Sequence, residues 1–217
     1  MLLREKFYDT NCKLVIALDG PSASGKGAIG RTLADLFKLR YFESGIMYRG
    51  LAFLVIRHNL SVGDKDKIIE LSKTKDILAQ IHGIDLLNEE IAAVASVISA
   101  IPEVRHSLTA QLTGIIAQNK RILMEGRDIG TVVAPNADLK LYITADVKVR
   151  AERRYKQLLS EGKKCILHDI LEQLINRDKR DSERLAAPLK PAGGAYIIDT
   201  SNLELDQVIQ KIKDIVG

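Results

Sequence analysis

The stretch "KLVIALDGPSASGKGAIGRTLADLFKL", residues 13–39, decides the fold. "LVIAL" is an unbroken apolar run of the kind that forms a strand buried on both faces. A glycine ends it, and "GAIGRTLADLFKL" then repeats its apolar residues at helical spacing. Strand, glycine-rich turn and helix, in that order, set backbone N–H groups around a phosphate at a helix N-terminus. Gly20, Pro21, Ser22, Ala23, Ser24, Gly25 and Lys26 fit the pattern G-x-x-x-x-G-K. The next residues, Gly27 and Ala28, lack the hydroxyl that commonly helps such a loop to hold Mg²⁺. The plain alternative is a glycine turn that merely opens a helix; the strand, the spacing and the lysine together favour a phosphate loop.

Outward from this unit the chain keeps alternating. "YFESGIMYRGLAFLVIRH" (41–58) predicts a short extended piece running into a helix. "KDKIIELSKTKDILAQI" predicts helical or irregular structure, "NEEIAAVASVISAI" a helix stopped near Pro102, and "PEVRHSLTAQLTGIIAQ" another with Pro102 in its first turn. "KRILMEGRD" (120–128), "ADLKLYITAD" (137–146) and "GAYIIDTSN" (194–202) predict three more strands. Two charged amphipathic helices separate the last two, and "ELDQVIQKIKDIV" closes the chain as a helix. Strands alternating with helices predict an α/β fold on a mostly parallel sheet. There is no internal repeat or low-complexity tract.

Composition narrows the class. The 217 residues are 46% hydrophobic and 28% charged, enough for one substantial core in an ordinary globular protein. No apolar run approaches the length that spans a bilayer, and "MLLREKFYDTNC" lacks the features of a secretory signal, so it reads as an extension. The two distant cysteines, Cys12 and Cys165, read as free thiols of a reducing cytoplasm. The net charge of +4 is modest, aromatic residues are 5%, and the arginines stand among acids. That favours compact phosphate sites over a nucleic-acid groove. His58, His82, His106 and His168 read as surface or packing residues.

Three further stretches carry candidate chemistry. "ESGIMYR" (43–49) supplies Ser44 and Arg49, each unremarkable alone. "MEGRDIGTVV" (124–133) puts Glu125, Arg127 and Asp128 at the carboxyl end of a buried strand, where open α/β sheets bind ligands; a local turn ion pair is the alternative. "RDKRDSER" (177–184) reads on its own as a solvated helix face.

In order along the chain, "DGPSASGKG", "SGIMYR", "GRDIGTVV" and "RDKRDSERLAAPL" resemble the bacterial cytidylate kinases, a family of nucleoside monophosphate kinases. The resemblance runs from about residue 14 to the end. It implies a P-loop kinase three-layer α/β fold and ATP-dependent phosphorylation of CMP or dCMP with Mg²⁺. By position it implies that residues 20–28, led by Lys26, hold the ATP phosphates, with Arg153 and Arg154 in a short lid over ATP. Ser44, Arg49 and Arg127 match positions that receive the acceptor nucleotide. Ser96, Arg105 and Asp128 match residues that read cytosine, Arg177 and Asp181 sugar-side contacts, and Arg184 a further substrate arginine. Lys26, Arg49, Arg127 and Arg184 would be the catalytic charges, since phosphoryl transfer between anions needs neutralisation and in-line positioning.

The chain departs from the family pattern in three ways. Glu43 and Glu125 stand where Asp is common, with Glu125 the candidate to hold Mg²⁺ through water. Residues 27 and 28 lack the loop hydroxyl. The acceptor-binding insert is short and lacks alternating strand pattern, which predicts a mainly helical, mobile flap. The expected organisation is an extension at 1–12, a core at 13–59 and 107–217 with a lid at about 152–170, and the insert at 60–106. The expected protein is a cytoplasmic monomer acting on ATP and CMP/dCMP, without nucleic-acid or membrane partners. The rival readings are a P-loop kinase for another small acceptor such as UMP, and a non-enzymatic ATP-dependent nucleic-acid-binding protein.

Overall fold

The computed structural model describes residues 3–86 and 88–217. Five strands form one sheet in the order β2-β3-β1-β4-β5, and every pairing is parallel. They are β1 (Leu14–Asp19), β2 (Arg40–Glu43), β3 (Arg121–Gly126), β4 (Leu139–Thr144) and β5 (Tyr196–Asp199). β1 lies at the centre and all six of its residues are buried, as its continuous apolar run requires.

Side-chain alternation along β1 divides the core into two layers. Leu14, Ile16 and Leu18 face α2 (Lys26–Phe37) and the C-terminal helix α10 (Leu205–Val216), where Leu33, Phe37 and Ile212 pack. Val15 and Ala17 face α3 (Gly45–Arg57) and α7 (Pro102–Ala117), where Leu51, Leu54 and Leu108 pack. Sheet between two helical layers is the expected three-layer fold. The N-terminal residues do more than extend the chain: α1 (Leu3–Tyr8) places Phe7 edge-on against Phe37 at 4.7 Å.

Residues 60–106 contain α4 (Lys65–Ser72), α5 (Ile77–Gln80) and α6 (Glu89–Ile98), and no strand among the described residues. Asn88 caps α6 by accepting from the Glu90 N–H, and Pro102 opens α7 where its missing N–H costs nothing. Ile68, Ile77 and Ile98 are fully buried in the same cluster as Leu51 and Leu54. Burial of this kind contributes about 1.5–3 kcal/mol per side chain, which sets these helices on the core rather than apart from it as a loose flap.

After β4, α8 (Val147–Ser160) and α9 (Leu167–Glu183) form a helical hairpin. It has a small core of its own, made by Ala151, Leu158, Ile170 and Leu174.

Candidate active site

The carboxyl ends of β1, β2 and β3 open on one edge of the sheet, and the charged residues gather there. β1 ends in Asp19 and the chain turns at Gly20, φ +149°, where a Cβ would come within 1.9 Å of the Ile143 carbonyl oxygen. Only glycine fits so close to β4. The loop then runs through residues 21–25 into α2.

Lys26 opens α2 and is 3% exposed. Its Nζ donates to the Pro21 carbonyl at 2.6 Å and to Ser24 Oγ at 3.3 Å, folding the ammonium back over its own loop. Burial, followed by the nearby Arg127 charge, pulls its pKa down to about 7. A phosphate brought to this loop would meet a desolvated amine that can take up a proton, with partners it can displace.

Asp19, which sequence reasoning left without a role, fixes the neighbouring strand end. Its two carboxylate oxygens accept from the Ile129 and Gly130 N–H groups at 2.8 and 2.7 Å. These belong to a single wide π-type helical turn, Ile129–Val133, that follows Arg127 and Asp128. Burial raises the Asp19 carboxyl to about 6 even against those two donors.

At the end of β3, Glu125 is register-paired with Glu43 of β2. Two carboxylates side by side repel, and each has its own partner. Glu43 Oε1 accepts from Arg49 NH2 at 2.7 Å, and Glu125 Oε2 accepts from the Tyr41 hydroxyl at 2.5 Å. Ser44 is buried between the strands, its N–H bonded to the Glu125 carbonyl at 2.8 Å. A Cβ at Gly126 would lie 2.5 Å from Ser44 Oγ, so this approach too needs glycine.

Beyond lies a buried network of arginines and aspartates. Arg105 NH2 pairs with Asp128 Oδ2 at 2.5 Å, and its NH1 donates to the Ser99 carbonyl at 3.2 Å. Burial opposes the Arg105 charge, but Tyr48 and Asp128 outweigh it and hold its pKa above the ordinary value. Asp181 lies 3.4 Å from Arg127 Nε and 3.5 Å from Arg184 NH1. Burial and then Arg127 lower Arg177 to about 10; burial and then Arg105 lower Arg184. The Nε atoms of Arg49, Arg105, Arg127 and Arg177, and NH2 of Arg184, are buried without hydrogen-bond partners. Buried guanidinium groups carry fixed positive charge, and several of them stand together at this edge of the sheet.

The remaining candidates sit further out. Ser96 on α6 accepts at Oγ from Arg180 NH1 of α9, at 2.6 Å. Arg153 donates to Thr200 Oγ1 and to its carbonyl at 3.0 and 2.6 Å, and Arg154 reaches Glu89 of α6 at 3.3 Å. Among the described residues neither of these two hydrogen-bonds to the phosphate loop. Arg150, absent from the sequence candidates, does: NH1 donates to the Ser22 carbonyl at 3.1 Å. For divalent metal, no group of three or more His, Cys, Asp or Glu side chains is placed to hold an ion among the described residues.

Comparison with known proteins places the chain among its relatives. The family model described as cytidylate kinase matches residues 16–217. The chain is 51% identical over 214 residues to a cytidylate kinase of Rickettsia rickettsii (strain Sheila Smith), covering 99% of this chain and 96% of that one. It is 52% identical over 212 residues to that of Rickettsia canadensis (strain McKiel), covering 98% and 96%. In fold it is similar to a shikimate kinase from Bacteroides thetaiotaomicron (TM-score 0.51, 13% identity, covering 94% and 99% of the chains). It is also similar to an uncharacterized protein from Eubacterium ventriosum ATCC 27560 (TM-score 0.55, 14% identity, covering 94% and 98%). At such identities these two solved structures speak for the fold alone.

Proposed function

The chain belongs to the cytidylate kinase family, and from that premise we propose how its residues carry out the reaction. It is a nucleoside monophosphate kinase that moves the terminal phosphoryl group of ATP to CMP or dCMP. An oxygen of the acceptor phosphate forms a bond to the γ-phosphorus while the bond to the β,γ-bridging oxygen breaks. CDP or dCDP and ADP leave.

The observation that carries this reading is the cluster of buried guanidinium groups with unused hydrogen-bonding capacity, next to a phosphate loop whose lysine is held in reserve. Residues 20–28 wrap the ATP phosphates with backbone N–H groups, and Lys26 exchanges the Pro21 carbonyl for a phosphate oxygen. Arg49, Arg127, Arg177 and Arg184 neutralise the acceptor and transferring phosphates as fixed planar charges. Two polyanions must come into line, so this neutralisation matters more than a strong base.

Asp128 reads the base. Arg105 occupies Oδ2, while Oδ1 stands 4.0 Å from Arg184 NH2, beyond hydrogen-bond reach. That oxygen accepts from the exocyclic amine of cytosine; uracil presents a carbonyl there, and two acceptors repel. Ser96 and Arg105 complete the base site, and Ser44 and Asp181 face the acceptor nucleotide.

Mg²⁺ fits the donor set in one way. Glu125 is a hard oxygen ligand close enough to Lys26 to oppose the fall in its pKa, and Mg²⁺ favours one or two carboxylates with phosphate oxygens and water. Glu125 is the residue that would hold the ion; when bound it supplies charge neutralisation at the phosphates. No single helix is long and apolar enough to cross a membrane among the described residues, and we place the enzyme in the cytoplasm as a monomer that binds neither membrane nor nucleic acid. An ADP-release assay across CMP, dCMP, UMP, AMP and shikimate tests the reading. CMP and dCMP should lead by a wide margin; equal rates with UMP or none with CMP would overturn it.

A further inference from the structure

Arg150 is 5% exposed on α8 and its guanidinium touches three separate elements. Nε donates to the Ala145 carbonyl beyond β4 at 2.9 Å, and NH1 to the Ser22 carbonyl of the phosphate loop at 3.1 Å. NH2 faces Asp178 Oδ2 of α9 at 2.6 Å. The other Asp178 oxygen, Oδ1, is buried and has no hydrogen-bond partner, so Arg150 is the group that aims this carboxylate.

The next two loop residues are held from the same direction. Ala23 has φ +59°, in the left-handed region that residues with a Cβ rarely adopt. Its methyl packs on the small core of the α8–α9 hairpin, which offsets that strain. The Ser24 carbonyl lies 3.4 Å from Thr200 Oγ1, and Arg153, one turn after Arg150, grips Thr200 through two hydrogen bonds. Ser22, Ala23 and Ser24 are thus held in succession by contacts that begin on α8.

α9 carries acceptor-side residues on either side of Asp178: Arg177 directly before it and Asp181 one turn on. We propose that Arg150 is a positioning residue for the transfer: by holding Ser22 and Asp178 at once, it fixes the donor loop relative to the acceptor-side charges of α9. The inference rests on the reading of the loop as donor site and α9 as acceptor site. Arginine suits the task because its planar fork points donors in several fixed directions, whereas a lysine ammonium is a compact point charge. Removing it leaves both nucleotides bound but out of line, and misplacement of about 1 Å costs up to ~10²-fold in rate.

The test uses the full chain with Arg150→Lys and, as the near-isosteric control of the other partner, Asp178→Asn. For each, kcat and both KM values are measured by ADP release, and amide exchange of residues 22–26 is followed without nucleotide. The expected result for Asp178→Asn is a kcat lower by about tenfold or more, with each KM within about threefold. Loop exchange should quicken although the substitution lies on α9. Arg150→Lys should move the same way; if it does not fold, Asp178→Asn decides. A kcat within about twofold of the parent, or unchanged loop exchange, overturns the proposal. Should the parent chain fail to phosphorylate CMP, the functional reading falls, and the exchange result alone still decides whether Arg150 couples α9 to the loop.

Discussion

Arg105 and Asp128 face each other at 2.5 Å, with side chains only 4% and 6% exposed. A pair this deep holds the fold, and in the reading proposed above it also selects the base, so the two roles can be separated by measurement. Asp128→Ala should lower kcat/KM for CMP by ~30-fold or more, the loss of about 2 kcal/mol or more that truncating a buried charged contact brings. UMP should lose far less, because the repulsion of its carbonyl disappears as well. Stranding Arg105 should also cost about 3–5 kcal/mol of stability, read by urea denaturation. Equal losses for the two substrates would show that Asp128 does not read the base.

Lys26 predicts a pH signature. Its ordinary pKa of 10.5 falls to about 7 in the folded chain. Between those values the unfolded chain keeps a proton that the folded one has released. Stability of the nucleotide-free protein should therefore rise with pH across that window. Lys26→Met should flatten the rise in a urea series from pH 7 to 10, and Lys26→Ala should lower kcat by ~10²-fold or more. ATP binding near pH 8 should take up a proton, visible by calorimetry in buffers of different ionisation enthalpy. Uptake that persists in Lys26→Met would assign the proton elsewhere.

Asp19 predicts the opposite slope. Its carboxyl rises from 3.8 to about 6 on folding, so the folded chain holds the extra proton and stability falls as pH climbs through that range. Asp19→Asn removes this slope. The amide offers one acceptor to two backbone donors, Ile129 and Gly130, and should cost about 1–3 kcal/mol. Activity should fall with it, because the turn that presents Arg127 and Asp128 loses its tether.

Glu125 and Tyr41 predict the metal response. With no hydroxyl at residues 27 and 28, Glu125→Gln should raise the Mg²⁺ concentration for half-maximal rate by about tenfold or more. Tyr41→Phe, which removes only the hydrogen bond that orients the carboxylate, should raise it as well, by a smaller factor. An unchanged Mg²⁺ titration in Glu125→Gln would remove it from the metal site.

The helices of residues 65–98 predict a hydrogen-exchange pattern. A mobile flap would exchange freely until CMP arrives. The full burial of Ile68, Ile77 and Ile98 against the α3 layer instead predicts protection of α4 and α6 close to that of α3, with or without CMP. Strong protection gained only on adding CMP would restore the flap.

The two-sided burial of β1 and the glycine at its end were legible because both are local: a continuous apolar run, then a residue without a Cβ. Asp128 was legible from its place just past a buried strand, whereas Arg105 and Asp181 were legible only through the ordered set of motifs. Asp19, Tyr41 and Arg150 were not legible. Their partners are backbone atoms or side chains far away in sequence, and no spacing rule connects Asp19 to the Ile129 N–H or Arg150 to the Ser22 carbonyl. "VRAERR" looks the same whether its arginines are solvated, clamp Thr200 or reach Glu89, and only tertiary contact tells them apart. Phe7 was missed for a related reason: two adjacent aromatic residues, Phe7 and Tyr8, in a charged stretch give no periodicity.

The sheet order has a consequence for how the protein is made. β1 leaves the ribosome long before its first partner in the chain, β3, which sets Arg121 beside Leu14. At about 5–20 residues per second, "LVIALD" waits on the order of ten seconds before a neighbouring strand exists. Neither of its sheet partners is reachable through a hairpin, so local pairing gives no shelter in the meantime. The nascent chain should be most exposed to aggregation while residues 20–120 are being synthesised, and most dependent then on whatever covers bare strands in the cell. Synonymous codon changes that slow translation within α3 to α7 should lower soluble yield without altering the finished enzyme.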